Sequence, residues 1–554
     1  MERGTTMNLE KDIPDYAMVP AKEIEEKILH PITNDAIYLP IEFTNVTKGE
    51  SLIFTIEEDL LVPDIKPDLK EILLMDSTCH LTTSEIKGHV KEEDYITLAG
   101  EIRLQTLYVP EKPNPHCPLI SMENKIPFKE QCRLFSGDSI LLDCSVERVE
   151  HLIINERKYR IKATVKITPK YYNNMSFSLF DGIKGEPLYT LRENIEFCTL
   201  ALRKKDILSI KEYISPISDT MPGQLLLKDI KVLENYRQLT SDRVVVNGFI
   251  CLNILYSDKS PIDDSSAKDN LHQIQQRLEF TQFIPLQGAT SSSDCKLTFD
   301  SSDLKLKVCQ HEDGQDIIQL EGDLITYVET YKKSEKAVIT DAYHKDKTFV
   351  CNIKENKINV LVGSTISDSS VREIFVPQDL TQDVEAILFT TGEITNTHVY
   401  FEQGKIVTEG NILAKILCQL TGDECKLATV SENIPFRLAS SIGNMSGNEE
   451  IHQDVCLKEF WSEKINGKQL EFNASISTYT EAIKMSSFEQ IENPAFQSGS
   501  SQENISPMII YCCRENDNLW HVAKRFKTSK ESIMEINHLE KEDLHMGQKL
   551  LIMR

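Results

Sequence analysis

The run "RKYRIKATVKITPKYY", Arg157–Tyr172, alternates in polarity along most of its length. Tyr159, Ile161, Ala163, Val165 and Ile167 share one face, and Lys162, Thr164 and Lys166 the other. A period of two in Val-, Ile-, Thr- and Tyr-rich sequence predicts a half-buried strand in an antiparallel sheet with one wet face. Two later runs read the same way: "DIIQLEGDLITYVETYKK" (Asp316–Lys333) and "KQLEFNASISTYTEAIK" (Lys468–Lys484).

Working backwards from each of these runs uncovers an internal repeat. An extended stretch enters a Pro-marked turn three times, at Pro63, Pro216 and Pro377, 153 and 161 residues apart. A strand opened by glycine follows: "GEIRLQTLYV" (Gly100), "GFICLNILYS" (Gly248) and "GNILAKILCQ" (Gly410). A third strand comes next: "ENKIPFKEQC", "RLEFTQFIPL" and "ENIPFRLA". The alternating run then closes each unit. The glycines read as places of a bulge, a turn or close backbone approach and carry no binding role. A unit of this length can bury its own core.

The expected fold class is therefore mainly β: three tandem β-rich domains, sandwich- or barrel-like, at 36–175, 176–335 and 336–485. An N-terminal segment, 1–35, precedes them. Helices are few, with "AKEIEEKILH" (21–30) the one expected there and a turn after each Pro motif. The Ser/Gln/Asn-rich stretch "SSFEQIENPAFQSGSSQENISP" (486–507) reads as a flexible linker. On that reading the C-terminal module, 508–554, hangs free of the repeats.

Composition narrows the function. The formal net charge is −25, so phosphate backbones and anionic lipid surfaces repel the chain and nucleic acid is a poor partner. The start offers no 7–15-residue apolar run of an export signal, and no stretch is apolar enough to span a membrane. The 14 cysteines are scattered without a C-x-x-C pair and read as reduced thiols of a cytosolic protein. Phosphate-cradling glycine motifs, H-E-x-x-H and G-x-S-x-G are all missing. His30, His116 and Cys117 lack a second ligand pair at metal spacing. The acidic runs Ile56–Asp59 and Lys91–Asp94 read as solvated faces. No catalytic residue, cofactor or metal is expected.

The tail carries its own pattern. Met508–Cys512 is a short apolar strand. In "ENDNLWHVAKRF" (Glu515–Phe526), Asp517 can cap a helix whose apolar face is Leu519, Val522, Ala523 and Phe526. Thr528, with Glu531 three residues on, caps a second helix carrying Ile533, Met534 and Ile536. A turn at Gly547 leads to a second strand, giving a small α+β (βααβ) module.

Tyr511, Asp517-x-Leu519-Trp520-x-x-Ala523-x-x-Phe526, Ile536-Asn537 and Gly547-Gln548-Lys549-Leu550-x-Ile552 resemble a LysM domain. One departure is Asn516, where that family usually has Gly; Asn tolerates positive φ better than most residues. The resemblance implies N-acetylglucosamine-polymer binding in a groove between two loops. Asp517, Asn518, Leu519 and Trp520 would line one side, and Asn537, His538 and Leu539 the other.

The whole arrangement resembles the SipL-like spore-coat morphogenetic proteins of clostridia, with tandem SPOCS repeats and a C-terminal LysM domain. That resemblance implies a non-enzymatic scaffold in the mother-cell cytoplasm at the forespore surface. It also implies a LysM domain that docks the basement-layer morphogenetic ATPase of the coat, with other coat proteins or self-association as further contacts. The alternative is a cell-wall-associated peptidoglycan binder.

Overall fold

The computed structural model describes residues 29–32, 35–90, 95–113, 118–135, 137–217, 220–259, 270–286, 294–310, 314–378, 380–422, 426–497 and 507–553. The helix expected at 21–30 lies outside these residues, except that Leu29 and His30 belong to a short strand, β1 (Leu29–Pro31).

Each repeat is a pair of antiparallel sheets. In repeat 1 the strands are β2 (Ala36–Lys48), β3 (Leu52–Leu61), β4 (Leu69–Leu81), β5 (Glu85–Val90), β6 (Tyr95–Pro110), β7 (Ile120–Arg133), β8 (Gly137–Asn155) and β9 (Lys158–Ile183). Repeat 2 has β10 (Leu188–Ile214), β11 (Pro222–Leu239), β12 (Arg243–Asp258), β13 (Leu271–Pro285), β14 (Asp294–Asp300), β15 (Lys305–Gln310) and β16 (Asp316–His344). Repeat 3 has β17 (Thr348–Phe375), β18 (Val384–Glu402), β19 (Lys405–Leu420), β20 (Lys426–Ser440), β21 (Glu450–Asn466) and β22 (Gln469–Gln497). One sheet is three-stranded: β4-β6-β7, β11-β12-β13 and β18-β19-β20. The other joins the first and last strands of the repeat into a long ribbon: β2 and β3 on β9, β10 on β16, β17 on β22.

The alternation in β9 does what its period requires. Tyr159, Ile161, Ala163, Val165 and Ile167 all face the repeat 1 core. In β9, Pro169 cannot donate to the ladder, and the partner strand is interrupted opposite it, between β2 and β3. Repeats 2 and 3 have a register shift at the corresponding place, between Leu200 and Leu202 and between Leu361 and Gly363.

The three glycines do not open their strands. Each is the sixth residue of a 16-residue strand, β6, β12 or β19. Each pairs across the ladder with a phenylalanine: Gly100 with Phe128, Gly248 with Phe280, Gly410 with Phe436. The ring lies over the glycine, where an added Cβ of Gly248 would meet Phe280 at 2.7 Å and the Leu233 carbonyl at 2.6 Å. Of the bulge, turn or close approach expected, the structure shows close approach, by an aromatic ring filling the space a side chain would occupy.

The repeats do not stand apart as beads. Leu74, Leu227 and Phe389 hold corresponding positions, opposite Leu107, Leu255 and Leu417, and all six share one apolar cluster. The far ends of the ribbons form a second shared core with Phe43, Phe197 and Ile358 contributed by the three repeats. A third, at the ribbon tips, holds Phe180, Ile339 and Ile491. The three ribbons thus form a common trunk. Strand β1 adds to it by pairing with the end of β22.

This trunk moves the expected boundaries. Strands β9, β16 and β22 run without interruption across residues 175, 335 and 485, so the turns between ribbons lie about ten residues later. It also corrects the linker: residues 486–497 are strand, paired with β17. Phe488 and Ile491 are buried there in cores shared with neighbouring repeats, and Ala495 is buried beside them. Residues 498–506 of the expected linker lie outside the described residues.

Polar side chains hook one repeat to the next. The Gln105 amide donates to the Leu226 carbonyl (3.1 Å), and Asn253, at the corresponding position, donates to that of Thr390 (3.0 Å). Buried Glu329 of repeat 2 receives Lys170 and Tyr172 of repeat 1 and Tyr331 of its own strand. Charge-assisted partners hold its carboxyl below the ordinary glutamate range despite burial, which opposes them.

One cysteine expectation is overturned: Cys79 and Cys144 form a disulfide between β4 and β8. The corresponding positions are Val232 and Phe299 in repeat 2, and Ile394 and Val455 in repeat 3, all packed against their cores. The cross-link therefore occupies a place where the other repeats rely on apolar contact.

Two predictions follow from this packing. Gly248→Ala forces a methyl group into the Phe280 ring and the Leu233 carbonyl. It should cost about 1–3 kcal/mol, read as a lower urea midpoint. Asp76 on β4 touches solvent, yet burial, and then the nearby Asp229 carboxylate, push its pKa up to about 6. A carboxyl whose folded pKa is raised adds stability fully below its unfolded value, near 4, and loses it as pH rises through 6. Asp76→Asn should therefore raise the melting temperature at pH 7–8, with the gain shrinking from pH 6 to pH 4.

Candidate functional site

The C-terminal module is built from β23 (Met508–Cys512), α1 (Leu519–Phe526), α2 (Lys530–Ile536) and β24 (Lys549–Met553). The two strands pair antiparallel, from Met508 opposite Met553 to Cys512 opposite Lys549. Leu519, Val522 and Ala523 are buried with Ile533, Leu550 and Ile552, and Phe526 and Met534 pack against them. This is the apolar face that the helical spacing predicts.

The caps lie one residue beyond their expected positions. Asn518, not Asp517, caps α1, its side chain accepting from the His521 N–H at 2.7 Å. Asp517 instead braces the preceding turn, accepting from the Tyr511 hydroxyl (2.6 Å) and the Arg514 N–H (2.7 Å). Those hydrogen bonds, the Tyr511 one foremost, hold its carboxyl below the usual range. Ser529, not Thr528, caps α2, and Thr528 donates to the Met553 carbonyl (3.0 Å). Asn516 stands at φ 65°, the left-handed conformation that explains a glycine preference there.

The expected groove residues separate into different roles. Leu519 is core. Asn537 ties α2 to β24: its Nδ2 donates to the Ile533 and Leu551 carbonyls, and its Oδ1 accepts from the Leu551 N–H at 2.7 Å. His538 is exposed at φ 53°, and Leu539 is half-buried against the module core.

Trp520 has the least expected position. It is only 5% exposed, because the module does not hang free. It sits on the tip of the repeat 2 ribbon, where Tyr189, Leu191 and Tyr343 join the module's own core. The Trp520 indole N–H donates to Asp341 Oδ2 at 2.8 Å, and Lys524 Nζ reaches Asp341 Oδ1 at 2.6 Å. The indole packs edge-on to Tyr343, centroids 5.0 Å apart, and Tyr343 stacks on Tyr189. The buried Tyr343 hydroxyl donates to the Thr528 carbonyl at 2.6 Å. Burial holds the Tyr343 phenol well above its usual pKa. The hydrogen bond to a carboxylate contributes about 1.5–3 kcal/mol and the aromatic pair about 0.5–1.5. The half-exposed Lys524 pair adds little.

Sequence reading missed Asp341, Tyr343, Tyr189 and Leu191 as members of this site. Asp341 and Tyr343 lie at the end of β16 and Tyr189 and Leu191 at the start of β10, about 180 and 330 residues before Trp520, and they carry no local motif.

The geometry defines a class: a three-repeat β protein carrying a small βααβ module seated on one ribbon. Comparison with known families makes it more specific. Residues 223–309, within repeat 2, match the SPOCS domain of SipL, and residues 514–552 match the LysM domain. The architecture is therefore SipL-like, a SPOCS domain followed by a C-terminal LysM domain. Both are binding or scaffold families without catalytic activity. Neither a curated protein nor a solved structure matches the chain. No helix among the described residues is long and apolar enough to cross a membrane. The described residues also contain no group of three or more His, Cys, Asp or Glu arranged to hold a metal.

Asn537→Ala removes three side-chain hydrogen bonds, two of which join the end of α2 to the Leu551 backbone of β24. It takes this partner from the part-buried Leu551 N–H and carbonyl, at about 1–3 kcal/mol each, while the Ile533 carbonyl keeps the Asn537 N–H. Thermal denaturation followed at the module should show a large loss, the mark of a structural residue rather than a ligand contact.

Proposed function

We propose that this chain is a non-enzymatic scaffold or adaptor in spore-coat assembly around the forespore, acting from the mother-cell cytoplasm. Its LysM domain docks a coat morphogenetic protein, by resemblance the basement-layer ATPase, and the repeats present surfaces to other coat proteins or to further copies of the chain. One observation carries the reading: the LysM face that bears Trp520 is engaged by polypeptide, through Asp341 and Tyr343. A face that fits a carboxylate and a tyrosine ring of its own chain has the chemistry to recognise a protein. The matched SPOCS domain supports the coat setting.

The experiment pairs co-purification from sporulating cells with peptidoglycan sedimentation of the purified full-length chain. The expected outcome is co-purification of a coat ATPase and no sedimentation with peptidoglycan. Strong sedimentation, competed by muropeptides and without a protein partner, supports the cell-wall alternative and overturns the adaptor reading.

A further inference from the structure

We infer that the contact of the LysM module with the repeat 2 ribbon is an autoinhibitory latch. Asp341 holds Trp520 and Lys524 down, and the module must leave the ribbon before that face can take a partner. The inference rests on the reading of the LysM module as a partner-docking domain. Its physical basis is the double use of one face. The Asp341 carboxylate joins two residues one helical turn apart on α1, Trp520 and Lys524. Tyr343 covers the indole and reaches past it to the Thr528 carbonyl. A partner using Trp520 competes directly with these groups.

The latch is also separable from the fold of the module. Leu519, Val522, Ala523, Ile533, Leu550 and Ile552 form a core without help from the ribbon's carboxylate. Asp341 has no counterpart in repeat 1, where Gly182 occupies the corresponding position beside the ribbon bulge. The seat is thus particular to repeat 2 rather than a feature all ribbons share.

The test uses the full-length chain with Trp461→Phe, which leaves Trp520 as its one tryptophan. In this parent, emission should be blue-shifted and poorly quenched by acrylamide. Asp341→Ala should red-shift the emission and raise the undocked population roughly tenfold, as loss of one charge-assisted hydrogen bond implies. Lys524→Ala, which leaves the ribbon untouched, should shift both readouts the same way by less. Circular dichroism checks folding; if Asp341→Ala is unfolded, the isosteric Asp341→Asn, which removes the charge that Trp520 and Lys524 share, decides in its place. Emission and quenching identical to the parent in the folded variants overturn the latch. Adding N-acetylglucosamine hexamer to the opened variant separates the latch from the reading on which it rests. Opening without hexamer binding supports both. Opening with hexamer binding keeps the latch and sinks the protein-docking reading.

Discussion

The rest of the structure depends on the apolar seam where the three ribbons meet. Each ribbon extends well beyond the body of its own repeat and carries Phe43, Phe197 or Ile358 on its inner side. A lone two-stranded ribbon buries too little surface to be stable in water. Three of them laid together bury each other's inner faces, so the trunk exists only when all three repeats are in place. Burial of this kind is the dominant favourable term in folding. It makes the repeats interdependent, unlike a linear array in which each unit touches only its neighbours.

That seam also dictates where charge can go. Glu329 is buried among Lys170, Tyr172 and Tyr331, so its cost of burial is offset by hydrogen bonds from two repeats. Removing one member of such a group leaves a buried charge uncompensated. Asp76 is the opposite case: Asp229 and Glu393 face it, burial is only partly relieved by Lys231, and its proton is held more tightly. The contacts between repeats thus combine a fixed apolar part with a polar part that responds to pH.

The ribbon tip of repeat 2 links this frame to function. It is rigid because the trunk holds it, and it offers Asp341 and Tyr343 to the LysM module. Trp520, which the family pattern assigns to a binding groove, becomes part of an intramolecular interface. The module's orientation is set by the repeats instead of being averaged by a tether.

The residues alone determined the strand order, the repeat and the βααβ module. Each of these rests on contacts whose partners are near in sequence or recur at a fixed interval. The alternation in Arg157–Tyr172 is legible because one face meets a core and the other meets water. In 486–497 that rule fails: Phe488 and Ile491 are buried by other repeats, so the stretch imitates a linker. The Cys79–Cys144 bond, the approach of Asp229 to Asp76 and the seat of Trp520 were decided by tertiary structure. Their partners lie from 65 to about 180 residues apart, and only the way the ribbons converge brings them together.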